Sequence, residues 1–227
     1  AKPSGEPVLV NALFRNLHDK NLIFLSNDKW SWNLQRIREV EISENVIDLM
    51  VEKIQRLPVN FIDILKFSAC IANEFKIEIF AQISGKDFRK LNLEVQVLSN
   101  EGFFIMTNST ARFVHDKVQE AVYSLMSREE KIKTHYKIGK WWLDNAPEKL
   151  LEENIFHVIG QLNLGKDLID SQEERLLFVS LNWRAGKKAK ASTAYESALN
   201  FLQNAVSYLP ENKWESHYEF SFEIYKD

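Results

Sequence analysis

The segment Gly160-Gln-Leu-Asn-Leu-Gly165-Lys166 has the spacing of a phosphate-binding loop, in which backbone amides and a lysine hold nucleotide phosphates. The next residue is Asp167, where such loops place the hydroxyl that binds magnesium. A carboxylate would repel the phosphates, and residues 154–164 are predicted to be a helix rather than the strand that precedes a phosphate loop. We therefore predict that Gly165 ends a helix and that this segment holds no nucleotide.

The other chemistry-bearing residues form no catalytic or metal-binding pattern. The five histidines lack the H-x-x-x-H and H-E-x-x-H spacings that place two ligands on one helix face. The single cysteine, Cys70, lies in an apolar helical pattern without a cationic neighbour, and no G-x-S-x-G motif is present. The chain alone is therefore predicted to be non-enzymatic, without catalytic residues, metal or cofactor.

The composition predicts a substantial hydrophobic core built mainly from helices. Of the 227 residues, 45% are hydrophobic and 12% aromatic, while glycines and prolines number only seven and five. The formal net charge of −3 gives no global attraction for nucleic acid or an anionic membrane. Because the apolar runs are too short to span a bilayer and no signal-peptide pattern is present, a cytoplasmic location is expected.

Residues 43–116 are predicted to form helices followed by a β-hairpin, which is the element order of a winged-helix domain. Helices are predicted before Pro58 and over residues 60–72, 77–83 and 87–100, and the hairpin strands over 103–106 and 111–114. Residues 1–42 are predicted to be a helical piece with a short hairpin around Asn27-Asp28-Lys29.

Only helices are predicted from residue 117 to the end, after a capping box formed by Asp116 and Gln119. Their predicted bounds are 117–126, 128–145, 149–164, 171–188, 191–208 and 213–226. The spacings of 12, 4, 3 and 5 match a tetratricopeptide repeat (TPR) at Gly186, Ala198, Leu202, Ala205 and Pro210. Small residues let two helices approach closely, and the proline ends the second helix.

The predicted fold class is mainly α: a winged-helix domain with a small β-hairpin wing, followed by a TPR-like helical superhelix. The large residues usual early in the first helix of the repeat are replaced by Asn182, Ala185 and Ala189. Since one repeat needs neighbours to stack on, further repeats are expected beyond Asp227.

A winged helix raises the hypothesis of DNA binding. The predicted recognition helix, residues 87–100, contains Arg89 and Lys90 but also acidic and apolar residues. Non-specific affinity for DNA requires several basic side chains on one face, so DNA binding is disfavoured. The denser basic stretch, Arg184–Lys190, is better explained as a helix C-terminal turn, where cations suit the helix dipole.

Several segments resemble the STAND class of signal-transduction ATPases. The run Gly5-Glu6-Pro7-Val8-Leu9-Val10-Asn11 resembles the GNPFFV-E element that ends the ATPase core of large bacterial signalling kinases, and the G-x-P of plant NB-ARC proteins. Residues 42–58, 112–125 and 185–192 resemble segments that follow in those kinases. Such proteins commonly carry a Ser/Thr kinase domain before the ATPase and a sensor histidine kinase far after it. The phosphate-binding loop that should precede these segments is not in this chain.

The resemblance implies roles for two residues. Pro7 would pack against the adenine of a bound nucleotide, and His115, aligned with the histidine of the MHD element, would reach the β-phosphate of ADP in the closed state. Asp116 would be the helix cap that fixes the histidine. From the residues alone, the favoured interpretation of His115 is a half-buried histidine that closes the wing.

The resulting hypothesis is a non-catalytic regulatory segment of a signalling ATPase or kinase. Residues 1–42 would be the end of the ATPase lid, 43–116 the winged helix that clamps ADP, and 117–227 the array that senses a protein partner. The ATPase core would be a partner in cis, and the full-length protein would bind ADP or ATP. The alternatives are a stand-alone helical scaffold for protein–protein interaction and, less favoured, a winged-helix DNA-binding regulator.

Overall fold

The computed structural model describes Phe14 and residues 17–18, 21–26, 29–32 and 46–227. Over these residues the protein is mainly helical, with two small antiparallel sheets, and the predicted mainly α composition is confirmed. Contacts divide the chain into two compact units, residues 1–126 and 127–227.

The hairpin predicted near the start of the chain is present. Strand β1 (Ile23–Ser26) pairs antiparallel with strand β2 (Lys29–Trp32), and Leu25 lies opposite Trp30. Both of these side chains are exposed. The assignment of residues 1–42 to an ATPase lid stays a prediction.

The rest of the first unit alternates helices with short strands. Its elements are α1 (Val46–Gln55), α2 (Val59–Ile71), β3 (Glu74–Lys76), α3 (Ile77–Ser84), α4 (Phe88–Asn100), β4 (Phe104–Thr107), β5 (Thr110–Phe113) and α5 (Asp116–Ser124). Pro58 separates α1 from α2, and Gly85 ends α3 with a φ of 76° that glycine adopts without strain. Asp87 caps α4 by accepting a hydrogen bond from the Lys90 amide. The predicted bounds of α2, α3 and α4 are correct to within one residue.

A third strand, which sequence reasoning missed, completes the sheet of the first unit. Strand β5 pairs with β3 on one side and β4 on the other, so the strand order is β3-β5-β4. Phe104 lies opposite Phe113 with ring centroids 4.8 Å apart, and Phe75 meets Phe104 edge to face at 5.6 Å. All three rings are buried, so the sheet supplies part of the core of this unit.

Helix α5 belongs to the first unit by its packing. It contacts α1 and α2, and it buries Val118, Ala121 and Val122. The division between the units consequently falls after Met126, C-terminal to the predicted end of the winged-helix region at residue 116.

The second unit is entirely helical over its regular elements. These are α6 (Arg128–Asn145), α7 (Glu148–Glu153), α8 (Ile155–Leu164), a 3₁₀ turn (Lys166–Leu168), α9 (Gln172–Ala191), α10 (Tyr195–Tyr208), α11 (Lys213–Ser216) and α12 (Tyr218–Lys226). The single helices predicted over 149–164 and 213–226 are wrong, because each is broken in two. At the first break Asn154 leaves the helical backbone conformation (φ −107°, ψ 17°), and its side chain donates to the Leu150 carbonyl at 2.9 Å.

In two pairs of helices of this unit, a glycine on one helix allows a leucine of the other to approach its backbone closely. A Cβ atom at Gly186 of α9 would lie 2.8 Å from Leu202 Cδ2 of α10. At Gly139 of α6 it would lie 2.6 Å from Leu162 Cγ of α8. Only glycine therefore permits these helix separations without a shift. The small residues singled out by the repeat spacing are buried where α9 and α10 meet, and the classification as TPR-like stays a prediction.

Candidate functional site

His115 lies where the sheet of the first unit passes into helix α5. Strand β5 ends at Phe113, and the Val114 amide donates to the Phe103 carbonyl at 3.1 Å. His115 has an extended backbone (φ −158°, ψ 146°) and is the N-cap residue of α5. Its carbonyl accepts the first hydrogen bond of the helix from the Val118 amide at 3.0 Å. Main-chain hydrogen bonds therefore hold the backbone on both sides of the His115 side chain, at Val114 before it and at the first turn of α5 after it.

The imidazole ring of His115 is itself the side-chain cap of α5. Its Nδ1 accepts a hydrogen bond from the backbone N–H of Lys117 at 3.0 Å. An accepting ring nitrogen carries no proton, so the neutral ring holds its proton on Nε2. The ring is half-buried and oriented by this bond. Nε2 is therefore a hydrogen-bond donor of defined direction beside a helix N-terminus, where negative charge is favoured.

Asp116 is not the helix cap, and the predicted capping box with Gln119 is wrong. Asp116 is the first residue of α5, and its Oδ1 accepts a hydrogen bond from Asn73 Nδ2 at 2.9 Å. Gln119 Nε2 donates to the carbonyl of Ala69 in α2 at 3.0 Å. These two contacts hold the first turn of α5, and with it His115, against α2 and the turn that follows α2. Sequence reasoning missed Asn73 because its partner is distant in the chain.

A lysine lies beside the histidine. Lys117 Nζ forms an ion pair with Glu120 Oε2 at 2.6 Å, and both side chains are more than half exposed. Exposed ion pairs of this kind contribute at most about 1 kcal/mol to the free energy of folding. The ammonium group can therefore exchange this partner for an anionic ligand at little cost.

Pro7, the second predicted nucleotide-contacting residue, lies outside the described residues. The site that the structure describes consists of His115, the neighbouring Lys117, and the Asn73–Asp116 contact that supports them.

The segment with phosphate-loop spacing is helical, and the prediction that Gly165 ends a helix is confirmed. Lys166 Nζ lies 5.8 Å from the centre of the Tyr208 ring, and Asp167 forms an ion pair with Arg128 at 3.1 Å. Both charged groups therefore have partners within the second unit, and the backbone here is a helix end followed by a 3₁₀ turn.

Helix α4, the predicted DNA-recognition helix, exposes apolar side chains. Leu93 and Val97 are 62% and 45% exposed and lie one turn apart on its outer face. Glu94 accepts a hydrogen bond from Asn60 of α2 at 3.1 Å. Reading base edges requires polar or basic side chains, so this face is better suited to contact protein than DNA.

Two of the four cations in the basic stretch of α9 contact acidic and carbonyl groups of α7. Arg184 contacts Glu148 at 2.6 Å and also pairs with Glu152. Lys188 Nζ donates to the Glu152 carbonyl at 2.5 Å. These cations join α7 to α9, which agrees with the structural explanation of the basic stretch rather than with a nucleic-acid surface.

In the part of the chain that the structure describes, no group of three or more His, Cys, Asp or Glu side chains could hold a metal ion. None of the described helices combines the length and apolarity needed to cross a membrane. Cys70 is buried, with its Sγ 3.6 Å from Met126 Sδ.

The chain is similar to one part of a much longer curated protein. It is 27% identical, over an alignment 289 residues long, to "Hybrid signal transduction histidine kinase G" of Dictyostelium discoideum. The match covers 99% of this chain but 8% of that protein, so the chain spans less than a tenth of the relative. No protein-family model matches the chain, and no solved structure matches it.

Proposed function

We propose that this chain is a non-catalytic regulatory segment of a larger signal-transduction ATPase or kinase. Within its first unit, residues 43–116 are a winged-helix domain, and the helices that follow begin a TPR-like array. The order α2-β3-α3-α4-β4-β5, with a three-stranded sheet, supports the first assignment, and the close glycine contacts in two helix pairs support the second. The similarity to a part of a hybrid signal transduction histidine kinase supports the signalling role.

The orientation of His115 is the observation that carries the proposal. Its Nδ1 is used by the helix cap, which leaves the proton on Nε2. A donor at this position, reinforced by the dipole of α5, suits the β-phosphate of ADP. In the proposal this contact holds the off state, Pro7 packs against the adenine, and an ATPase core in cis supplies the phosphate-binding loop.

The proposed switch has two states. In the off state His115 contacts ADP; in the on state a rotation of the first unit withdraws the ring. A protein partner that binds the helical array more tightly in one state shifts this equilibrium. Only residues 125–127 separate α5 from α6, so the histidine and the helical unit are joined by a short connection.

The test is made on the natural polypeptide that contains this chain. We expect it to retain ADP after purification, measured by chromatography of the nucleotide released on denaturation. His115→Asn keeps a capping acceptor but removes the imidazole donor, and should weaken ADP binding roughly tenfold or more and raise basal signalling. Asn73→Ala is the matched control, since it loosens the same helix start without removing the donor. Unchanged ADP affinity in His115→Asn would refute the clamp.

The alternative of a stand-alone helical scaffold is favoured by the exposed apolar face of α4. An antibody against the chain distinguishes the two, because a native band several times larger than 26.6 kDa supports the switch and a band at 26.6 kDa supports the scaffold. A DNA-binding regulator would instead retain a duplex with steep salt dependence.

A further inference from the structure

Helix α7 is held on the second unit by few contacts. It has six residues, and none of them is buried. Leu151 is half-buried and packs against the apolar cluster formed mainly by α8 and α9, whereas Leu150 is exposed. A helix of this length is only marginally stable by itself in water. The position of α7 therefore depends on the contacts that attach it to its neighbours.

The backbone leaves the helical conformation at both ends of α7. Pro147, which precedes the helix, has φ −58° and ψ 150°, and Asn154, which follows it, has φ −107° and ψ 17°. Proline also has no backbone N–H, so it donates no hydrogen bond that would continue α6 into α7. Rotation of the backbone at these two residues can consequently move α7 without unwinding α6 or α8.

Two cations of α9 attach α7 to the unit. Arg184 contacts Glu148 at 2.6 Å and also pairs with Glu152, one turn further along α7. Lys188 Nζ donates to the Glu152 carbonyl. The side chains of Arg184, Glu152 and Glu148 are 36%, 45% and 73% exposed. Because water reaches both ion pairs, each contributes little to the attachment, and dissolved salt screens it.

A small cavity lies beneath α7. Leu151 closes it from α7, Leu181 and Arg184 line it from α9, and further apolar side chains come from α6 and α8. Displacement of α7 would therefore uncover an apolar surface beside the cations of Arg184 and Lys188. Helix α7 itself shows which segment fits this surface, because it places one leucine over the cavity and its carboxylates against the cations.

We propose that α7 is a strap that opens while the rest of the second unit stays folded, and that an acidic, leucine-containing segment of a partner protein then binds in its place. The ion pairs of Glu148 and Glu152 with Arg184 are the latch that keeps the strap closed. The partner segment competes with α7 for the same surface, so its affinity rises when the latch is weakened. This device goes beyond the proposed nucleotide clamp and does not depend on it.

Hydrogen exchange of the 227-residue chain, followed by mass spectrometry, measures the opening of the strap. Glu152→Gln should speed exchange of the amides of residues 150–154 about twofold to fivefold, because it weakens one ion pair. Glu153→Gln is the matched control: it makes the same change of charge at the next residue, which is exposed and takes no part in these pairs, and should leave the rate unchanged. Exchange in α10 should stay the same in both variants.

Salt provides an independent measure of the latch. Raising the NaCl concentration from about 0.05 M to about 0.5 M should speed exchange in α7 of the parent chain and of Glu153→Gln. The double variant Glu148→Gln/Glu152→Gln should exchange fastest at low salt and respond least, because both ion pairs are already lost.

A synthetic peptide with the sequence of residues 147–154 is the probe for the uncovered surface, and NMR titration of the isotopically labelled chain measures its binding. The double variant should bind it with about millimolar affinity, and the parent about fivefold more weakly because its own α7 competes. A peptide carrying Leu151→Ser, or a chain carrying Arg184→Gln, should lose most of the binding. Equal exchange in Glu152→Gln and Glu153→Gln, opening of α7 only together with α8 to α10, or a peptide that does not bind the double variant would overturn the proposal.

Discussion

Asn163 of α8 and Asn182 of α9 exchange two hydrogen bonds, each amide donating to the carbonyl oxygen of the other at 3.1 Å. Asn182 is fully buried, and its second amide hydrogen goes to the Phe178 carbonyl at 3.1 Å. The repeat pattern places a large side chain at this position, so asparagine looked like a departure. The structure shows that its polar groups are satisfied by the preceding helix pair. A slip of one helix along the other would leave the buried amide of Asn182 and the half-buried amide of Asn163 unpaired, so this contact fixes the register.

Asn182→Ala is expected to lower the free energy of unfolding by about 1–3 kcal/mol, because it removes the two hydrogen bonds with Asn163 and the one to the Phe178 carbonyl and leaves a small void. Asn163→Ala should also destabilise the chain, since the buried Asn182 then lacks its partner. Urea unfolding of the two single variants and the double variant gives their coupling energy. Additive losses would show that the pair does not act as a unit.

Glycine substitutions in one helix should have opposite effects. A Cβ at Gly165 would lie 2.5 Å from the backbone nitrogen of Tyr136, which cannot move without shifting α6. Gly165→Ala should therefore cost about 1–3 kcal/mol or more. Gly160→Ala, inside α8 with nothing within 4 Å of the new methyl group, should be neutral or stabilise by up to about 1 kcal/mol. Thermal unfolding midpoints that move in the same direction for both would contradict the predicted packing.

The stability of the chain should fall in mild acid because of one buried and one half-buried histidine, His135 and His157. Burial lowers the pKa of His135 below its usual 6.5, although the hydrogen bond with Gln161 opposes this, and burial also lowers the pKa of His157. As pH falls through 6.5, the unfolded chain binds protons that the folded chain does not. Stability is therefore fully present above that pH and decreases below it, by at most about 1.4 kcal/mol per pH unit for each group.

Urea unfolding at pH values of about 7.5 and about 5.5 measures this dependence, and the histidine variants assign it. His157 contacts the Trp142 ring edge to face at 6.0 Å, so His157→Phe should fit the site and reduce the slope by the share of one group. His135→Gln should reduce the same slope by the contribution of His135. A slope that neither variant changes would place the pH dependence elsewhere.

His115→Ala should destabilise the chain by about 1 kcal/mol, because the ring caps α5. Had Asp116 been the cap, as predicted from the sequence, this substitution would leave the helix start intact. His115→Asn should cost less, since asparagine is a good N-cap residue. Equal losses on urea unfolding would show that the imidazole does not cap the helix.

The element bounds of the first unit were accessible from sequence because local residues set them. Pro58, Gly85 and Asp87 each determine a helix end through their own backbone or side-chain chemistry. Strand β3 was not accessible, because three residues carry no periodic signal and its formation depends on pairing with β5, far along the chain. Likewise, Asn154 breaks a helix whose apolar pattern continues on both sides.

The candidate site was reached by resemblance, and its geometry could not have been predicted. Cap preferences favour aspartate over histidine, so they point to Asp116. The imidazole takes this role because Val114 and the sheet hold His115 in an extended conformation. The partner of Asp116 is Asn73, which only the folded chain brings near.

Strand β5, which leads directly into His115, is the middle strand of its sheet. Its backbone is hydrogen-bonded to β3 on one side and to β4 on the other, so the strand is released only when both ladders open, whereas an outer strand can fray alone. Val114 is the one residue between β5 and His115, so the histidine can move relative to the strand only by rotation of the backbone at Val114. A larger displacement of His115 requires the sheet to move as well. The position of one imidazole ring is in this way tied to the strand that is paired on both sides.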